Sequence, residues 1–254
     1  MAFHAGAHAL VTGGGSGVGR AIALALTNAG AIVTICGRRQ DALDAVAAEH
    51  PNIHAQTADV TDEASMEALY ESAEAPRGPF SIVVANAGIA ESAPAHKTTL
   101  DQWKHTLDVN LTGSFLTVRP ALAGMAARKS GRIVFVASVA GLKGFAYVAP
   151  YVASKHGVIG LMRALAVETA KSGVTVNAVC PSFVETDMLS DTVQRIVDKT
   201  GRSEAEARAS LSANNPQGRF IQPDEVAAAV LYLCSDAAAS ITGQSLSISG
   251  GETW

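Results

Sequence analysis

The sequence predicts an α/β fold, a doubly wound parallel sheet of about seven strands. Short apolar, β-branched runs alternate with longer helical segments from one end of the chain to the other, the pattern of a parallel sheet with helices on both faces. The runs are near-continuously apolar, as strands covered on both faces must be. A glycine-rich turn also follows the first run directly, at the strand end where such sheets take their ligand.

The elements follow in order. The first strand is read at residues 7–12 (AHALVT) and the first helix at 18–29; a second strand, 31–36 (AIVTIC), leads into a helix at 40–50. A shorter strand, 52–56, precedes a helix at 62–73, and SIVVA at 81–85 precedes one long helix at 101–129. RIVFVAS at 132–138 leads into a helix at 150–172, and VTVNAVC at 174–180 is the sixth strand. A helix at 223–234 and a last strand at 245–249 close the series. One insertion, residues 187–218, breaks the rhythm. Within it Leu189, Val193 and Ile196 fall at i, i+4, i+7, an apolar stripe on one helical face, and Ser203 with Glu206 forms a capping box for a second short helix. An insertion beyond a strand's carboxyl end reads as a lid, with the stripe facing an apolar substrate.

Composition bounds the function. Of 254 residues, 48% are hydrophobic and 17% charged, which excludes disorder as the default. A net charge of −4 without long like-charge runs argues against a nucleic-acid partner. Cys36, Cys180 and Cys234 form neither a disulfide framework nor a zinc pattern, and seven histidines show no ligand spacing; no metal is expected, and a reducing, cytoplasmic setting is. No apolar run approaches the ~20 residues of a membrane span, and the opening residues lack the regions of a secretory signal. With no linker, repeat or low-complexity tract, residues 1–254 read as a single domain.

After the first strand comes Thr12-Gly13-Gly14-Gly15-Ser16-Gly17-Val18-Gly19. Glycines permit a tight turn and let the backbone approach a pyrophosphate resting on the next helix's N-terminus. The spacing departs from Gly-x-Gly-x-x-Gly. The segment TGGGSGVG resembles the TGxxxGxG motif of the short-chain dehydrogenase/reductase family in its single-domain branch, and the resemblance runs from Ala7 to Gly251. Asp59-Val60 is similar to the family's adenine-contacting pair, and Asn86-Ala87-Gly88 to its NAG motif. Asn110, Ser138 and Tyr151-x3-Lys155 resemble its catalytic set. Two positions differ from the family pattern: Ala85-Asn86 stands where two asparagines are frequent, and Pro181-Ser182 where Pro-Gly is usual. The resemblance implies a Rossmann-like fold, a nicotinamide cofactor and a homotetramer in which the tail ending at Trp254 packs between subunits.

Tyr151 and Lys155 are four apart in a helical stretch and project from one face. A free tyrosine, with a pKa near 10, is a poor base near neutrality; a nearby ammonium is expected to lower that value. The resemblance gives Tyr151 the proton-transfer role, Ser138 a hydrogen bond to the substrate oxygen, Lys155 the nicotinamide ribose, and Asn110 a relay water. From its residue type alone, Asn110 could equally satisfy a backbone kink. Thr186, after Phe183-Val184-Glu185, resembles the residue that bonds the carboxamide; a hydroxyl there also suits an N-cap. Pro181 and Val184 belong to the same loop. His156 reads as structural and Cys36 and Cys180 as packing residues. Phe145, Tyr147, Phe183, Met188 and Leu189 are the candidate substrate-pocket residues.

Cofactor choice is read at the end of the second strand, where an acid about 20 residues past the glycine turn would select NAD. Here Gly37-Arg38-Arg39 stands instead, so NADP is expected through Arg38 and the 2′-phosphate, with NAD as the alternative. Otherwise the two arginines are solvated charges partnered by Asp41 and Asp44. The function expected is an NAD(P)-dependent hydride transfer between cofactor and a ketone or secondary alcohol. GFAYVAPYVASKHGVIG and VTVNAVCPSFVETDM look most like members acting on 3-oxoacyl or 3-hydroxyacyl thioesters or polyketide-like chains. A bulky alicyclic, aromatic or steroid alcohol is the alternative substrate. A cofactor-sensing regulator and an epimerase or dehydratase are the rival classes; the complete proton-transfer set and the lack of a larger substrate domain argue against them. Five acidic and five basic residues over 187–219 leave the lid's charge neutral on the question of an anionic substrate.

Overall fold

Seven strands form one parallel sheet in the computed structural model, which describes residues 6–253. They are β1 (His8–Thr12), β2 (Ile32–Gly37), β3 (Ile53–Thr57), β4 (Ile82–Ala85), β5 (Gly131–Val136), β6 (Val174–Pro181) and β7 (Ser245–Ile248), in the order β3-β2-β1-β4-β5-β6-β7. The expected strands and the doubly wound class are found. Trp254 and the first five residues lie outside the described residues. None of the described helices is long and apolar enough to cross a membrane.

The period of two along each strand sends neighbouring side chains to opposite faces. Leu10, Val83, Ile133 and Phe135 pack on one face with the helices α3 (Glu63–Arg77), α5 (Gly113–Arg128) and α6 (Ala149–Thr169). Val11, Val33, Val84 and Val134 pack on the other with α1 (Gly17–Asn28), α2 (Gln40–Ala47) and α9 (Pro223–Cys234). This is why the strands read as unbroken apolar runs. Strand order reverses between β1 and β4, opening a crevice at their carboxyl ends.

The expected long helix at 101–129 is not one helix. It divides into α4 (Leu100–Leu107), a π-turn at Asp108–Thr112 and α5. A capping box of Thr99 and Gln102 starts α4, and the π-turn carries Asn110, whose side chain bonds outside the helix. A widened turn inside an apolar helical pattern leaves no periodicity signal.

The insertion is two helices, α7 (Asp187–Thr200) and α8 (Glu204–Ser212), the latter with the expected Ser203–Glu206 box. The stripe, however, is mostly a packing device. Leu189 and Val193 are each 3% exposed and close, with Ile196, on Ala207 and Phe220 in a small core of the insertion's own. Leu189 and Ile196 also reach the central cavity; Val193 does not.

Candidate active site

The glycine turn is built by close backbone approach. Gly13 (φ +66°) and Gly17 (φ +52°) occupy the left-handed region, which glycine enters without a Cβ penalty. A Cβ on Gly19 would lie 2.2 Å from the Gly13 carbonyl oxygen, and one on Gly13 3.0 Å from Ala87 Cα. Asn86 fastens this turn to β4: its Nδ2 donates to the Thr12 carbonyl at 2.8 Å, and the backbone N–H groups of Asn86 and Ala87 donate to Thr12 Oγ1 at 3.0 and 3.1 Å. Ser16, the N-cap of α1, makes no side-chain cap bond, and the first turn carries no acid. The helix N-terminus thus offers free N–H groups to an anion.

Two cavities meet over this turn, sharing Gly13, Ser16, Ala87 and Gly88 as walls. The smaller, about 270 Å³, is lined by Gly37, Arg38, Arg39, Asp59, Val60, Thr61 and His105. Asp59 accepts from the Thr61 N–H and hydroxyl at 2.9 and 2.7 Å. These bonds, with a smaller contribution from Arg38, hold its carboxyl below the usual range. No ion pair joins Arg38 or Arg39 to Asp41 or Asp44 among the described residues; Asp44 accepts from Gln40 at 2.7 Å instead.

The larger cavity, about 940 Å³, takes in Gly17, Val18, Gly19, Asn86, Ser138, Tyr151, Lys155, Pro181, Val184 and Thr186, and all five candidate pocket residues, Phe145, Tyr147, Phe183, Met188 and Leu189. Thr186 is the N-cap of α7 but makes no cap bond; its hydroxyl donates to the Val184 carbonyl at 3.3 Å, and its methyl faces Gly17. Tyr147 sits at φ +68° and is 67% exposed, on the rim rather than the floor. His156, with Nδ1 on the Val152 carbonyl at 2.9 Å, faces solvent on α6, and Cys36 and Cys180 are buried.

Ser138 lies just beyond β5 and caps a single 3-10 turn, Val139–Gly141, accepting from Ala140 N–H at 3.1 Å. Tyr151 and Lys155 come from the first turns of α6. Lys155 Nζ donates to the Val136 carbonyl at 2.8 Å and lies 5.7 Å from the centre of the Tyr151 ring. Burial pushes Lys155 down to about 8. It raises Tyr151, with the Ser138 hydroxyl pulling the other way. The expected lowering of the tyrosine by its lysine is therefore not found: burial desolvates the phenolate, and the Lys155 ammonium is bonded to the Val136 carbonyl.

Asn110 is fully buried and lines neither cavity. Its Oδ1 accepts from Ile89 N–H at 2.8 Å while Nδ2 donates to the Ile89 carbonyl and to Ser154 Oγ, both at 3.0 Å. It ties the loop after β4 to α6. Sequence reasoning missed a second brace. Ser182, at the departure from Pro-Gly, donates to the Glu252 carboxylate, whose side chain is 1% exposed and ion-paired to Lys143 at 2.9 Å. Three residues so far apart in the chain leave no local signal.

Comparison with known proteins decides the family. Residues 7–196 match the sequence model described as short chain dehydrogenase. The chain belongs to the short chain dehydrogenase family. It is 40% identical over 251 residues to the cis-4-hydroxycyclohexanecarboxylate dehydrogenase of Sinomonas cyclohexanicum, covering 96% of both chains. To the acetoacetyl-CoA reductase of Shinella zoogloeoides it is 39% identical, covering 96% of this chain and 97% of the relative. A variant of actinorhodin polyketide ketoreductase crystallised with NADPH superposes at a TM-score of 0.95, with 38% identity and 99% of both chains covered. The sequence and its relatives thus agree on an oxidoreductase acting at a CH–OH or ketone carbon.

Proposed function

We propose that this short chain dehydrogenase is an NADP-dependent ketoreductase acting on a 3-oxoacyl thioester or polyketide-like ketone. One observation carries the reading: Ser138, Tyr151 and Lys155 line a cavity of about 940 Å³ that the glycine turn lines as well. The residues fit a dinucleotide: the turn packs so closely that a Cβ on Gly13, Gly14 or Gly19 would lie 3.0 Å or less from other protein atoms, and it delivers an uncapped α1 N-terminus to the cavity. Gly13 to Gly19 would hold the pyrophosphate, Asp59 and Val60 the adenine, Arg38 the 2′-phosphate, Lys155 a ribose, and Asn86, Pro181, Val184 and Thr186 the nicotinamide side. When bound, the nicotinamide supplies or takes the hydride.

The chain's own groups do the rest. A phenol raised by burial stays protonated near neutral pH, so Tyr151 is poised to give its proton to a forming alkoxide. The Ser138 hydroxyl orients the substrate oxygen. Asn110, its amide committed to Ile89 and Ser154, acts as a positioning residue rather than by contact. The relative named for a hydroxycyclohexanecarboxylate, with the cavity's Phe145, Phe183 and Leu189 walls, favours a second reading, a bulky alicyclic alcohol. A cytoplasmic homotetramer belongs to the same reading. Three buried free thiols support the compartment. Large exposed apolar side chains at Trp103, Phe115 and Leu246 support self-association.

The decisive experiment is kcat/KM for a panel of ketones and alcohols with each cofactor. Tyr151→Phe is expected to lose at least about 10²-fold in kcat while NADPH still binds. Near-normal turnover in that variant rejects the catalytic assignment. A preference for NADP that falls in Arg38→Ala supports the cofactor assignment, and a wild-type preference for NAD rejects it.

A further inference from the structure

The ten charges of the lid balance in the sequence, but the fold sorts them. Arg208 is spent on Glu185 at 2.6 and 2.7 Å, and Arg219 on Glu225 at 2.6 and 2.7 Å. Asp191, Asp198, Glu204 and Glu206 do not line the cavity. Asp198 accepts from Gln194 at 2.8 Å and Glu206 is held in the Ser203 cap. What remains on the cavity wall is Arg195, Lys199 and Arg202.

Arg195 and Lys199 share one face of α7 with Met188 and Thr192, at i, i+4, i+7 and i+11, and all four line the cavity. None of the three cations has an ion pair among the described residues. Arg195 is half-buried, and Lys199 reaches across to the Ser92 carbonyl at 3.5 Å. Two carboxylates outside the pairs above share this cavity. Asp187 starts α7, about 12 Å along the axis from Arg195. Glu91, exposed beside Ser92, faces from the opposite loop. A partly desolvated guanidinium with no ion-paired carboxylate among the described residues is suited to a planar, two-oxygen anion.

We propose that Arg195 and Lys199 recognise an anionic group carried by the substrate, a carboxylate or a phosphate, at the lid wall of the catalytic cavity. The proposal rests on the ketoreductase reading for its reaction but not for its binding test. The kinetic arm compares wild type with an Arg195→Gln/Lys199→Gln variant on matched ketones: 4-oxocyclohexanecarboxylate against its methyl ester, and acetoacetyl-CoA against acetoacetyl-N-acetylcysteamine. The ratio of kcat/KM, anionic over neutral, is expected to fall about tenfold in at least one pair, through KM, as loss of one charge-assisted hydrogen bond would give. The pair that responds distinguishes carboxylate from phosphate.

The binding arm titrates cyclohexanecarboxylate and free coenzyme A into the NADP complex of both proteins by calorimetry, and needs no turnover. If no ketone is reduced but the variant loses affinity for one probe, the anion site stands and the ketoreductase reading falls. Equal ratios and equal affinities in the two proteins overturn the site.

Discussion

His8 should make the stability of this protein fall in mild acid. It opens the interior strand β1, at the amino end of the sheet opposite the crevice, and is 2% exposed. Its Nδ1 lies 2.8 Å from the Gly78 carbonyl, which only accepts, so Nδ1 carries the proton; Nε2 then accepts from Thr34 Oγ1 at 2.9 Å. Phe80 covers the ring at 4.1 Å. Burial, reinforced by Arg77 and His54, lowers the native value to about 4 from the ordinary 6.5. A group kept neutral by the fold binds its proton first in the unfolded chain. Stability is therefore full above about pH 6.5 and drains away as pH falls toward 4. That gap implies a loss of about 2 kcal/mol between pH 7 and pH 5, and about 3 kcal/mol once His8 is protonated in both states. Carboxylates held low, such as Glu225 at about 2, titrate in the unfolded chain only below about pH 5, so the window isolates histidine. The assay is the urea midpoint of wild type and His8→Gln from pH 7.5 to 5. The variant should lose about 2 kcal/mol less than wild type on acidification. Parallel curves, or a His8 resonance titrating near 6.5 in the native protein, would refute the reasoning.

Other perturbations test the site. Gly19→Ala drives a Cβ to 2.2 Å from the Gly13 carbonyl, a backbone contact that cannot swing away. NADPH affinity should drop more than about tenfold and stability by about 1–3 kcal/mol, and an unaltered fluorescence titration would contradict the turn geometry. Glu252→Gln weakens the brace joining Ser182 and Lys143; the KM for cofactor should rise several-fold with secondary structure intact by circular dichroism. Residues 188–213 should exchange amide hydrogens faster than β4 to β6 in the free protein and slow when cofactor and substrate analogue bind. Protection equal to that of the strands without ligand would make α7 and α8 a fixed wall rather than a lid.

The sheet, the glycine turn and the Tyr151–Lys155 pairing were legible because each rests on a local rule, whereas Ser138 joined them through the family resemblance. Strands buried on both faces must be apolar throughout, as Val83, Val84, Ile133 and Val134 are. A turn that brings Gly13 against Ala87 must lack Cβ atoms. A four-residue spacing on a helix needs no knowledge of the rest of the chain. The π-turn under Asn110 escaped detection because its consequence is a hydrogen bond to Ile89, on another segment.

Tertiary structure alone decided the electrostatics. Whether Lys155 tunes Tyr151 depends on which carbonyl its Nζ finds, here Val136, and on how much water burial removes from both. The Leu189–Val193 stripe looked like a substrate wall but closes largely on Ala207 and Phe220, since one amphipathic period serves any apolar neighbour. The lid's five acids and five bases sum to nothing in sequence; in space most of the acids turn outward while Arg195, Lys199 and Arg202 face the cavity. Period and backbone conformation are properties of adjacent residues, and the sequence by itself determined those. Partner, burial and charge environment are properties of segments brought together from far apart, and only the folded chain decides them.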